Sequence, residues 1–383
     1  MRCIILGLAT LVSAASLLNF VRAPDWTWIW KLAIVVGEFG PWLVLFPIGL
    51  GLIACFAFEG GLRLACLLLC TFSVVGLLRP TANAWRIGQA LPQNLRAAFG
   101  GGEALAAFSF TRLYVHDTPA RSPITTEVFA QTGDAELKLD FFAAASTNAA
   151  QSAPCIVVVH GGGWDSGDRT QLDEWNHRWA ARGYAVAAVS YRLAPKSIWP
   201  AQRDDVLASI TWLKANAERL GLDPTRLVLL GRSAGGQIAA AAGYGAKDPA
   251  IRGVVALYAP HDMRFAWSVS REDDALNSIN LMRQYFGGPP DTPERIARYE
   301  SASGQLLAQR DSPPTLMIHG VPDTLAWDRH SERLTMRLQE LGVPHYYLRL
   351  PWATHGFDYN LDGPGGQLAD SAIAQFLAAV VGK

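Results

Sequence analysis

The sequence contains one serine whose neighbours are typical of a nucleophile, within Gly231-Arg232-Ser233-Ala234-Gly235. This stretch follows the apolar run Leu227–Leu230 and precedes an alanine-rich segment that favours a helix. Glycines on both sides permit a tight turn that lifts a serine hydroxyl above a sheet, and the amides that begin the helix can bind an oxyanion. A glycine-rich turn with a capping serine is the alternative. We predict that Ser233 is a nucleophile and that the Ala234 N–H is an oxyanion donor.

A second glycine-rich stretch, His160-Gly161-Gly162-Gly163-Trp164, directly follows an apolar run. Glycines allow a backbone path in which N–H groups point into a cavity, where they can stabilise the negative charge of a tetrahedral intermediate. We predict that Gly161 and Gly162 donate their amides in this way. His160 is interpreted as a structural residue that fixes the loop. A dinucleotide site is disfavoured because Asp165-Ser166-Gly167-Asp168 follows instead of a G-x-x-G helix start.

A serine becomes a strong nucleophile only when a base takes its proton and an acid orients that base. His355 follows the last apolar run and precedes a C-terminal helix that we predict from Gln367. Asp323 ends the stretch His319-Gly320-Val321-Pro322-Asp323, which continues another apolar run. We predict that His355 is the base and Asp323 the acid, because both follow strands at the sheet edge where Ser233 lies. Asp328 is the rival acid, although its position favours a helix cap.

The remaining histidines have no such motif around them. His319 ends an apolar run and is interpreted as a buried structural residue. The others are interpreted as surface or loop residues: His116, His177, His261, His330 and His345. Metal-binding patterns such as H-E-x-x-H and C-x-x-C are missing from the sequence. We therefore predict neither a metal site nor a cofactor.

Apolar runs without alternation indicate strands that are buried on both faces of a parallel sheet. Such runs follow one another along the chain: Cys155–Val159, Ala185–Val189, Leu227–Leu230, Val254–Tyr258, Leu316–Ile318 and Tyr346–Leu350. Helical patterns lie among them: Asp205–Leu220, Gln237–Tyr244 and His330–Leu341. Earlier runs predict antiparallel edge strands: Phe108–Val115, Glu127–Ala130 and Glu136–Phe142. This order predicts a mostly parallel, doubly wound α/β domain.

The composition indicates a membrane segment in addition to this domain. The 383 residues include 33 basic and 33 acidic ones, and this balance argues against a nucleic-acid partner. Half of the residues are apolar, and the apolar excess lies in the first 80. We predict a membrane leader over residues 1–80 with candidate spans at 3–21, 39–58 and 64–78. Residues 81–107, with the cluster Gly100-Gly101-Gly102, are predicted to be a linker, and residues 108–383 the α/β domain.

The leader also carries information about orientation. Trp26, Trp28 and Trp30 precede the second candidate span, and tryptophan is typical of a membrane interface. A cleaved signal peptide is the alternative interpretation of residues 3–21. With three spans, the basic residues divide five against two: Arg22, Lys31, Arg79, Arg86 and Arg96 on the side of the α/β domain, Arg2 and Arg63 on the other. The positive-inside rule then favours a multi-pass membrane protein with a cytoplasmic α/β domain.

Cysteine usage agrees with this division. Four of the five cysteines lie in the leader, so Cys155 is alone in the α/β domain. That domain therefore has no internal disulfide, which fits a reducing compartment without requiring one. We predict that Cys155, within an apolar run, is a small buried residue.

Several motifs, in this order along the chain, resemble the α/β-hydrolase esterases of the hormone-sensitive lipase and BD-FAE type. They are HGGGW at 160–164, the following SGD, YRLAP at 191–195, GRSAGG at 231–236, the HGxxD loop at 319–323 and HGF at 355–357. The resemblance extends over residues 108–381 and implies the α/β-hydrolase fold. It also implies a role for each site residue: nucleophile Ser233, acid Asp323, base His355, and an oxyanion loop at Gly161 and Gly162. Similar proteins include carboxylesterases, feruloyl or acetyl esterases, arylformamidases and, with membrane leaders, prenylcysteine methylesterases.

Two features depart from that family pattern. Ser301-Ala302-Ser303 stands where relatives often have Ser-Pro, and the leader is foreign to the soluble members. We predict a membrane-anchored serine esterase that cleaves small-molecule or lipid-like carboxylic esters through an acyl-enzyme. Acyl transfer, arylformamidase-like amide hydrolysis on the same triad and a noncatalytic membrane scaffold are the alternatives. The segment from His261 to Gln309 is too long for a simple crossover, and we expect it to cap an acyl pocket or to pack on the core.

Overall fold

The described part of the chain is built around one eight-stranded sheet. The computed structural model describes residues 2–101, 106–116, 118–133, 135–145 and 152–382. Its strands are β1 (Ile124–Thr132), β2 (Ala135–Phe142), β3 (Ala153–Val159), β4 (Ala185–Val189), β5 (Leu222–Arg232), β6 (Ile251–Leu257), β7 (Thr315–Gly320) and β8 (His345–Leu350). They lie in the order β1-β2-β4-β3-β5-β6-β7-β8. β2 pairs antiparallel with β1 and β4, and all the other pairs are parallel.

The N-terminal part is helical within residues 2–101. Its helices are α1 (Arg2–Ser16), α2 (Thr27–Glu38), α3 (Gly40–Leu43), α4 (Leu45–Ala57) and α5 (Gly60–Phe99). In the described residues, three stretches are long and apolar enough to cross a membrane: Arg2–Asn19, Gly40–Ala57 and Gly60–Phe99. Each of them overlaps one of the candidate spans. α1, α4 and α5 pack together through small and aliphatic side chains: Ile5, Ala9, Leu50, Ala54, Cys66 and Cys70.

α5 differs from the prediction, because it continues through most of the segment 81–107 that was expected to be a linker. Ala84, Leu91 and Leu95 recur at helical spacing and are buried in one core cluster with the sheet. The polar residues between them therefore belong to the outer face of a helix. The helix ends at Phe99, where Gly100 takes a φ of +72°. Gly102 lies outside the described residues, and a domain boundary in this segment stays a prediction.

The later helices cover both faces of the sheet. They are α6 (Asp173–Ala181), α7 (Ala201–Ala215), α8 (Ala217–Leu220), α9 (Ala234–Gly245), α10 (Met263–Val269), α11 (Ser278–Phe286), α12 (Pro293–Ser301), α13 (Gly304–Leu307), α14 (Arg329–Leu341) and α15 (Pro364–Val381). Adjacent strand residues belong to opposite core clusters: Leu229 packs with α7 and α9, and Leu230 with α5, α6 and α15. Burial on both faces explains the unalternating apolar runs, and the predicted α/β-hydrolase fold is confirmed.

One predicted strand is wrong. Phe108–Val115 contains a 3-10 turn over Thr111–Leu113 instead of a strand. Its backbone binds a side chain, because Ser109 N donates to Gln367 Oε1 (2.8 Å) and Gln367 Nε2 donates to Ser109 O (3.1 Å). The aromatic residues that suggested a strand serve packing, as Phe108 lies against Gly88 of α5. The other two edge runs lie in β1 and β2, which pair antiparallel as predicted.

Candidate active site

Ser233 lies at the sharp turn between β5 and α9. Its backbone has φ +54° and ψ −122°, and its N–H donates to Leu257 O (2.9 Å). A side chain at Gly231 would bring its Cβ within 2.1 Å of Gly235 O, and one at Gly235 within 2.2 Å of Val159 O. Both positions therefore require glycine. This crowded turn holds the serine in a backbone conformation that costs roughly 1–3 kcal/mol on its own.

The structure brings Ser233, His355 and Asp323 together. His355 Nε2 lies 2.8 Å from Ser233 Oγ, and His355 Nδ1 lies 2.8 Å from Asp323 Oδ2. The histidine belongs to the loop after β8 and the aspartate to the loop after β7. Because a carboxylate only accepts hydrogen bonds, Nδ1 carries the imidazole proton and Nε2 accepts the serine proton. This arrangement can activate a hydroxyl group as a nucleophile.

Asp323 is fully buried and yet held as an anion. Its Oδ1 accepts hydrogen bonds from the N–H groups of Leu325 (2.8 Å) and Ala326 (3.0 Å). Burial alone would raise the pKa of Asp323, but His355 and His319 hold that pKa well below its usual range. The acid therefore stays ionised at neutral pH.

His319 has a larger part in this site than the sequence predicted. Its Nε2 lies 3.3 Å from Asp323 Oδ2 and 2.8 Å from Ala326 O, and its Nδ1 lies 2.8 Å from Ser331 Oγ. The residue is buried, as expected. Its place four residues before the acid, in the HGxxD stretch, is the sequence signal that could have assigned it to the site.

The glycine-rich loop after β3 lies beside Ser233, but one of its predicted donors is engaged. Gly161 N donates to Gln171 Oε1 (2.8 Å), so this N–H is not free in the structure. The N–H groups of Gly162, Gly163 and Ala234 have no hydrogen-bond partner within the described ranges. Gly163 and Ala234 also line the same cavity as the serine. Gly163 is therefore a further candidate oxyanion donor beside the predicted Gly162 and Ala234, whereas the N–H of the predicted Gly161 is engaged by Gln171.

His160 fixes this loop from one side. Its ring stacks on Tyr191 with 4.2 Å between centroids, and its Nδ1 lies 2.7 Å from Gly161 O. Tyr191 OH donates to His160 O (3.2 Å). A Cβ at Gly167 would lie 2.4 Å from Gly161 O, so the SGD stretch also requires its glycine. These contacts are those of a structural histidine.

Asp328, the rival acid, is bound elsewhere. It occupies the N-cap position of α14 without a capping hydrogen bond from its side chain. Its Oδ2 instead accepts from Arg349 Nη2 (3.0 Å). The structure thus places Asp323, and not Asp328, against the imidazole of His355.

Three of the histidines interpreted as surface or loop residues are buried, namely His177, His261 and His330. The interpretation is wrong for His177 and His330, which lie in α6 and α14, whereas His261 does lie in a loop. His330 lies edge-on against Phe265, with 5.0 Å between ring centroids, and lines the cavity at Ser233. Burial lowers the pKa of His330 to about 3, so it is neutral. The sequence could not show this, because these loop and helix residues become buried only through tertiary packing. His116 is exposed and His345 half-buried.

Ser233 opens into a cavity of about 120 Å³. Its apolar wall comes from the segment that was expected to cap an acyl pocket: Ala266, Val269, Leu276, Leu281 and Met282. Tyr285 and Phe286 of the same segment pack in the core. One part of the segment thus lines the cavity and another part packs on the core. Surface grooves of about 520 and 350 Å³ elsewhere in the described part contain none of the three triad residues.

The leader contributes Asp25 to the wall of this cavity, which the sequence did not predict. The residue belongs to the connection between α1 and α2 and lies 3.9 Å from Arg271. Burial and, after it, Asp274 raise the pKa of Asp25. In the same connection, Arg22 lies over the ring of Trp327, 5.0 Å from its centroid. The cavity at Ser233 is thus lined by the leader as well as by the α/β domain.

A buried ion pair lies behind the nucleophile. Arg232 Nε lies 2.5 Å from Asp358 Oδ2, and Tyr258 OH donates to Asp358 Oδ1 (2.5 Å). The ring of Tyr258 lies 4.5 Å from that of His355. The Asp358 carboxylate therefore connects Arg232, which precedes Ser233, to Tyr258, whose ring packs on His355.

The described residues contain no group of three His, Cys, Asp or Glu side chains that could hold a metal ion. The described groups that face Ser233 are an imidazole, a carboxylate behind it and backbone amides. Such a set can carry out acyl transfer from an ester to the serine.

Sequence comparisons point in the same direction. The family model BD-FAE matches residues 139–338, just over half of the chain. Esterase LipC of Mycobacterium tuberculosis is 32% identical over 244 residues, which cover 60% of this chain and 59% of LipC. The probable carboxylic ester hydrolase LipM of the same organism is 25% identical over 385 residues, which cover 92% of this chain and 86% of LipM. With 92% of the chain covered, the LipM match extends into the leader.

Solved structures share the fold. Esterase LipW from Mycobacterium marinum has a TM-score of 0.56 and 25% identity, and the match covers 76% of this chain and 89% of LipW. A bacterial heroin esterase has a TM-score of 0.59 and 24% identity, and the match covers 78% of this chain and 92% of that protein. The two matches leave about a quarter of this chain uncovered.

Proposed function

This chain belongs to the BD-FAE family of α/β-hydrolases, a family of carboxylic-ester hydrolases, and we propose that it is a membrane-anchored serine esterase that works through an acyl-enzyme. The observation that carries the proposal is the series of hydrogen bonds from Ser233 through His355 to Asp323, 2.8 Å at each step. The relatives' names support the reaction class, since LipC is an esterase and LipM a probable carboxylic ester hydrolase.

In the first half of the reaction, Ser233 Oγ attacks the ester carbonyl while His355 Nε2 takes the serine proton. The carbonyl oxygen becomes an oxyanion, and the free N–H groups of Gly162, Gly163 and Ala234 stabilise it. The intermediate then collapses, the bond to the alcohol breaks, and the imidazolium returns its proton to the leaving alcohol. The acyl group remains on the serine as an ester.

In the second half, His355 takes a proton from water, and the resulting hydroxide attacks the acyl-enzyme. Collapse of this second intermediate releases the carboxylic acid and returns the proton to Ser233. Asp323 keeps the Nδ1 proton of the base in place in both halves and stabilises the imidazolium without becoming protonated. Its lowered pKa supports this role.

The acyl side of the substrate follows from the cavity. A volume of about 120 Å³ is well below the roughly 300–1,000 Å³ of most ligand sites. Leu281 and Met282 limit it on one side and Trp164 lines it as well. We therefore assign a short, apolar acyl group to the substrate.

The leader supports a substrate that reaches the site from the membrane surface. Asn19 ends the first membrane-length stretch, and Asp25 of the cavity wall follows six residues later, a path of at most about 20 Å. Trp26 and Trp28 beside it are exposed, with 6.0 Å between their rings, as is typical of an interfacial position. An ester that partitions into lipid would be concentrated at this opening.

The basic residues support a cytoplasmic position of the α/β domain. α1 runs from Arg2 towards that domain, and Arg63 lies near the start of α5 at the other end of the bundle. Arg22 donates to Val321 O, Lys31 follows Trp30, which donates to His355 O, and Arg79 donates to Asn19 O. These three basic residues therefore lie at the end of the bundle that adjoins the domain. The positive-inside rule assigns the more basic end to the cytoplasm.

A fluorophosphonate probe tests the proposal directly. It should label Ser233 in the detergent-solubilised full chain, and Ser233→Ala should lose both labelling and ester turnover, with a loss in rate of about three to six orders of magnitude. Ser268→Ala, which changes an exposed hydroxyl on α10, is the matched control. Labelling that persists in Ser233→Ala would reject the assignment. Product analysis with an added alcohol separates hydrolysis from acyl transfer.

A further inference from the structure

One face of α2 lies against the loop that carries His355. Trp30 and Ile34, four residues apart and so on the same helical face, both reach Gly356, since a Cβ built there would lie 3.6 Å from Ile34 Cδ1 and 3.9 Å from Trp30 Cζ2. Glu38, a further four residues along, contacts Trp352 at the start of the same loop. The leader therefore packs directly behind the imidazole of the triad.

Trp30 is attached to the histidine itself. Its indole N–H donates to the backbone carbonyl of His355 (2.8 Å). The loop from Pro351 to Gly356 has no regular secondary structure, so no ladder of hydrogen bonds holds its peptide planes. The carbonyl fixes the peptide plane that follows the His355 Cα atom. Fixing that plane restricts the direction of the Cα–Cβ bond and hence of the imidazole.

Glu38 fastens the same face of α2 at its other end. Its Oε1 accepts from Trp352 Nε1 (3.1 Å) and its Oε2 from Gly365 N (2.7 Å), at the start of the 18-residue helix α15. A Cβ at Gly363 would lie 2.6 Å from Glu38 Oε2, and one at Gly365 2.8 Å from Oε1. These glycines therefore make the space that the carboxyl group fills. The helix cannot shift along the loop without losing these contacts.

We propose that Trp30 of the leader is a positioning residue of the active site, which holds the His355 loop so that the base stays aligned with Ser233 and Asp323. This rests on the proposed function. A proton passes efficiently from Ser233 to Nε2 only when both imidazole nitrogens keep their hydrogen bonds, and misplacement by about 1 Å costs catalysis heavily. The helix that precedes the second membrane stretch thus acts on the catalytic step and not on attachment alone.

The test replaces Trp30 by Phe in the full chain in detergent. The substitution keeps an aromatic ring and removes the N–H donor, so kcat and the rate of fluorophosphonate labelling should both fall about three- to tenfold, while KM stays within twofold. Trp42→Phe is the matched control. Its indole makes a hydrogen bond of the same length, 2.8 Å, from the leader to a carbonyl of the domain at Leu113. That variant should keep both rates.

Equal losses in Trp30→Phe and Trp42→Phe would show general loosening of the leader and overturn the proposal, as would unchanged rates in Trp30→Phe. If Trp30→Phe does not fold, benzothienylalanine at position 30 keeps the shape of the side chain and lacks only the N–H; the same fall in kcat is then expected, and wild-type rates would overturn the proposal. Absence of labelling of the wild-type chain at Ser233 would instead reject the proposed function, and this proposal with it.

Discussion

His319 Nε2 lies 3.3 Å from Asp323 Oδ2, the same carboxylate oxygen that accepts from the imidazole of His355. One buried anion therefore faces two histidines. This explains how a carboxyl group with no exposed surface remains ionised, since burial alone would favour its neutral form. It also means that the acid can stabilise an imidazolium without giving up its charge.

The first prediction separates the two acids. Asp323→Asn should lower kcat by about four orders of magnitude, because an amide no longer fixes the tautomer of His355. Asp328→Asn, which weakens the ion pairs of Asp328 with Arg349 and Arg22, should stay within about threefold of the wild type. Steady-state ester turnover measures both. The opposite ranking of the two variants would transfer the role of the acid to Asp328.

The second prediction concerns the oxyanion loop. In Gly162→Ala, the new Cβ would lie 2.2 Å from Ser166 O at a φ of +119°, so the loop must move and its free amides with it. We expect kcat to fall by a factor of about 10²–10³. Gly221→Ala is the control, because Gly221 has a φ of +65° with nothing near its Cβ position. Gly221→Ala should lower the free energy of unfolding by about 1 kcal/mol and leave kcat unchanged. Equal kcat values for the two variants would refute the role of the loop.

The third prediction uses Glu38, whose pKa burial raises from 4.5 to about 8 against hydrogen bonds from Gly365 and Trp352. The folded protein thus keeps a proton that the unfolded chain loses near pH 4.5. This contribution to stability is fully present below that pH and is lost as the pH rises through about 8.

Unfolding temperature in detergent should therefore fall from pH 6 to pH 9. The difference in unfolding free energy is on the order of a few kcal/mol, at about 1.4 kcal/mol per pKa unit. Glu38→Gln should flatten the slope, while Glu59→Gln, at an exposed position, should keep it. Parallel curves for the wild type and Glu38→Gln would count against a buried, protonated Glu38.

The fourth prediction enlarges the cavity. Leu281 lines it and lies beside Gly163, since a Cβ there would be 3.1 Å from Leu281 Cδ1. Leu281→Ala should raise kcat/KM for hexanoate relative to acetate esters by about tenfold or more, since one methylene in an apolar pocket is worth roughly 1–3 kcal/mol. Leu306→Ala, at an exposed side chain, should keep the wild-type preference. An unchanged ratio in folded Leu281→Ala would remove this helix from the acyl pocket.

The fifth prediction places the α/β domain on the cytoplasmic side. Protease added to intact spheroplasts should leave the domain whole, and cleavage should begin only after lysis. The physical reason is the cluster of basic residues at the domain end of the helical bundle: Arg22, Lys31 and Arg79. Digestion before lysis, with a cytoplasmic marker protein still protected, would put the domain outside.

The sequence predicts the central strands and the three triad residues because both depend on local patterns. A strand buried on both faces must be apolar throughout, and a nucleophile in this turn must lie between glycines, as at Gly231 and Gly235. Roles of backbone amides are harder to predict. Whether the Gly161 N–H is free depends on the side chain of Gln171, ten residues away. No pattern within the loop shows that this side chain accepts a hydrogen bond from Gly161 N.

The contacts between the leader and the α/β domain also could not be predicted from the sequence, because they depend on tertiary packing. In the sequence, Trp30 cannot be distinguished from its neighbours Trp26 and Trp28. Only the packing of α2 against the domain shows that Trp30 donates to His355 O, while Trp26 and Trp28 remain exposed. Likewise, the residues from Thr81 to Phe99 have the polar composition of a linker. The packing of Ala84 and Leu91 against the core is what identifies this segment as part of α5. Such features belong to tertiary packing and not to local preference.

α5 connects the membrane-length stretch and the α/β domain as one continuous helix. Its 40 residues form a rod about 60 Å long, twice the roughly 30 Å of a hydrocarbon core, so half of it must stand outside a bilayer that it spans. That outer half is part of the domain's own core, through Leu91 and Leu95. The enzyme would then have no flexible joint between its membrane span and its α/β domain. Every tilt of the span would be a tilt of the catalytic sheet, and bilayer thickness would set the height of the cavity above the lipid surface.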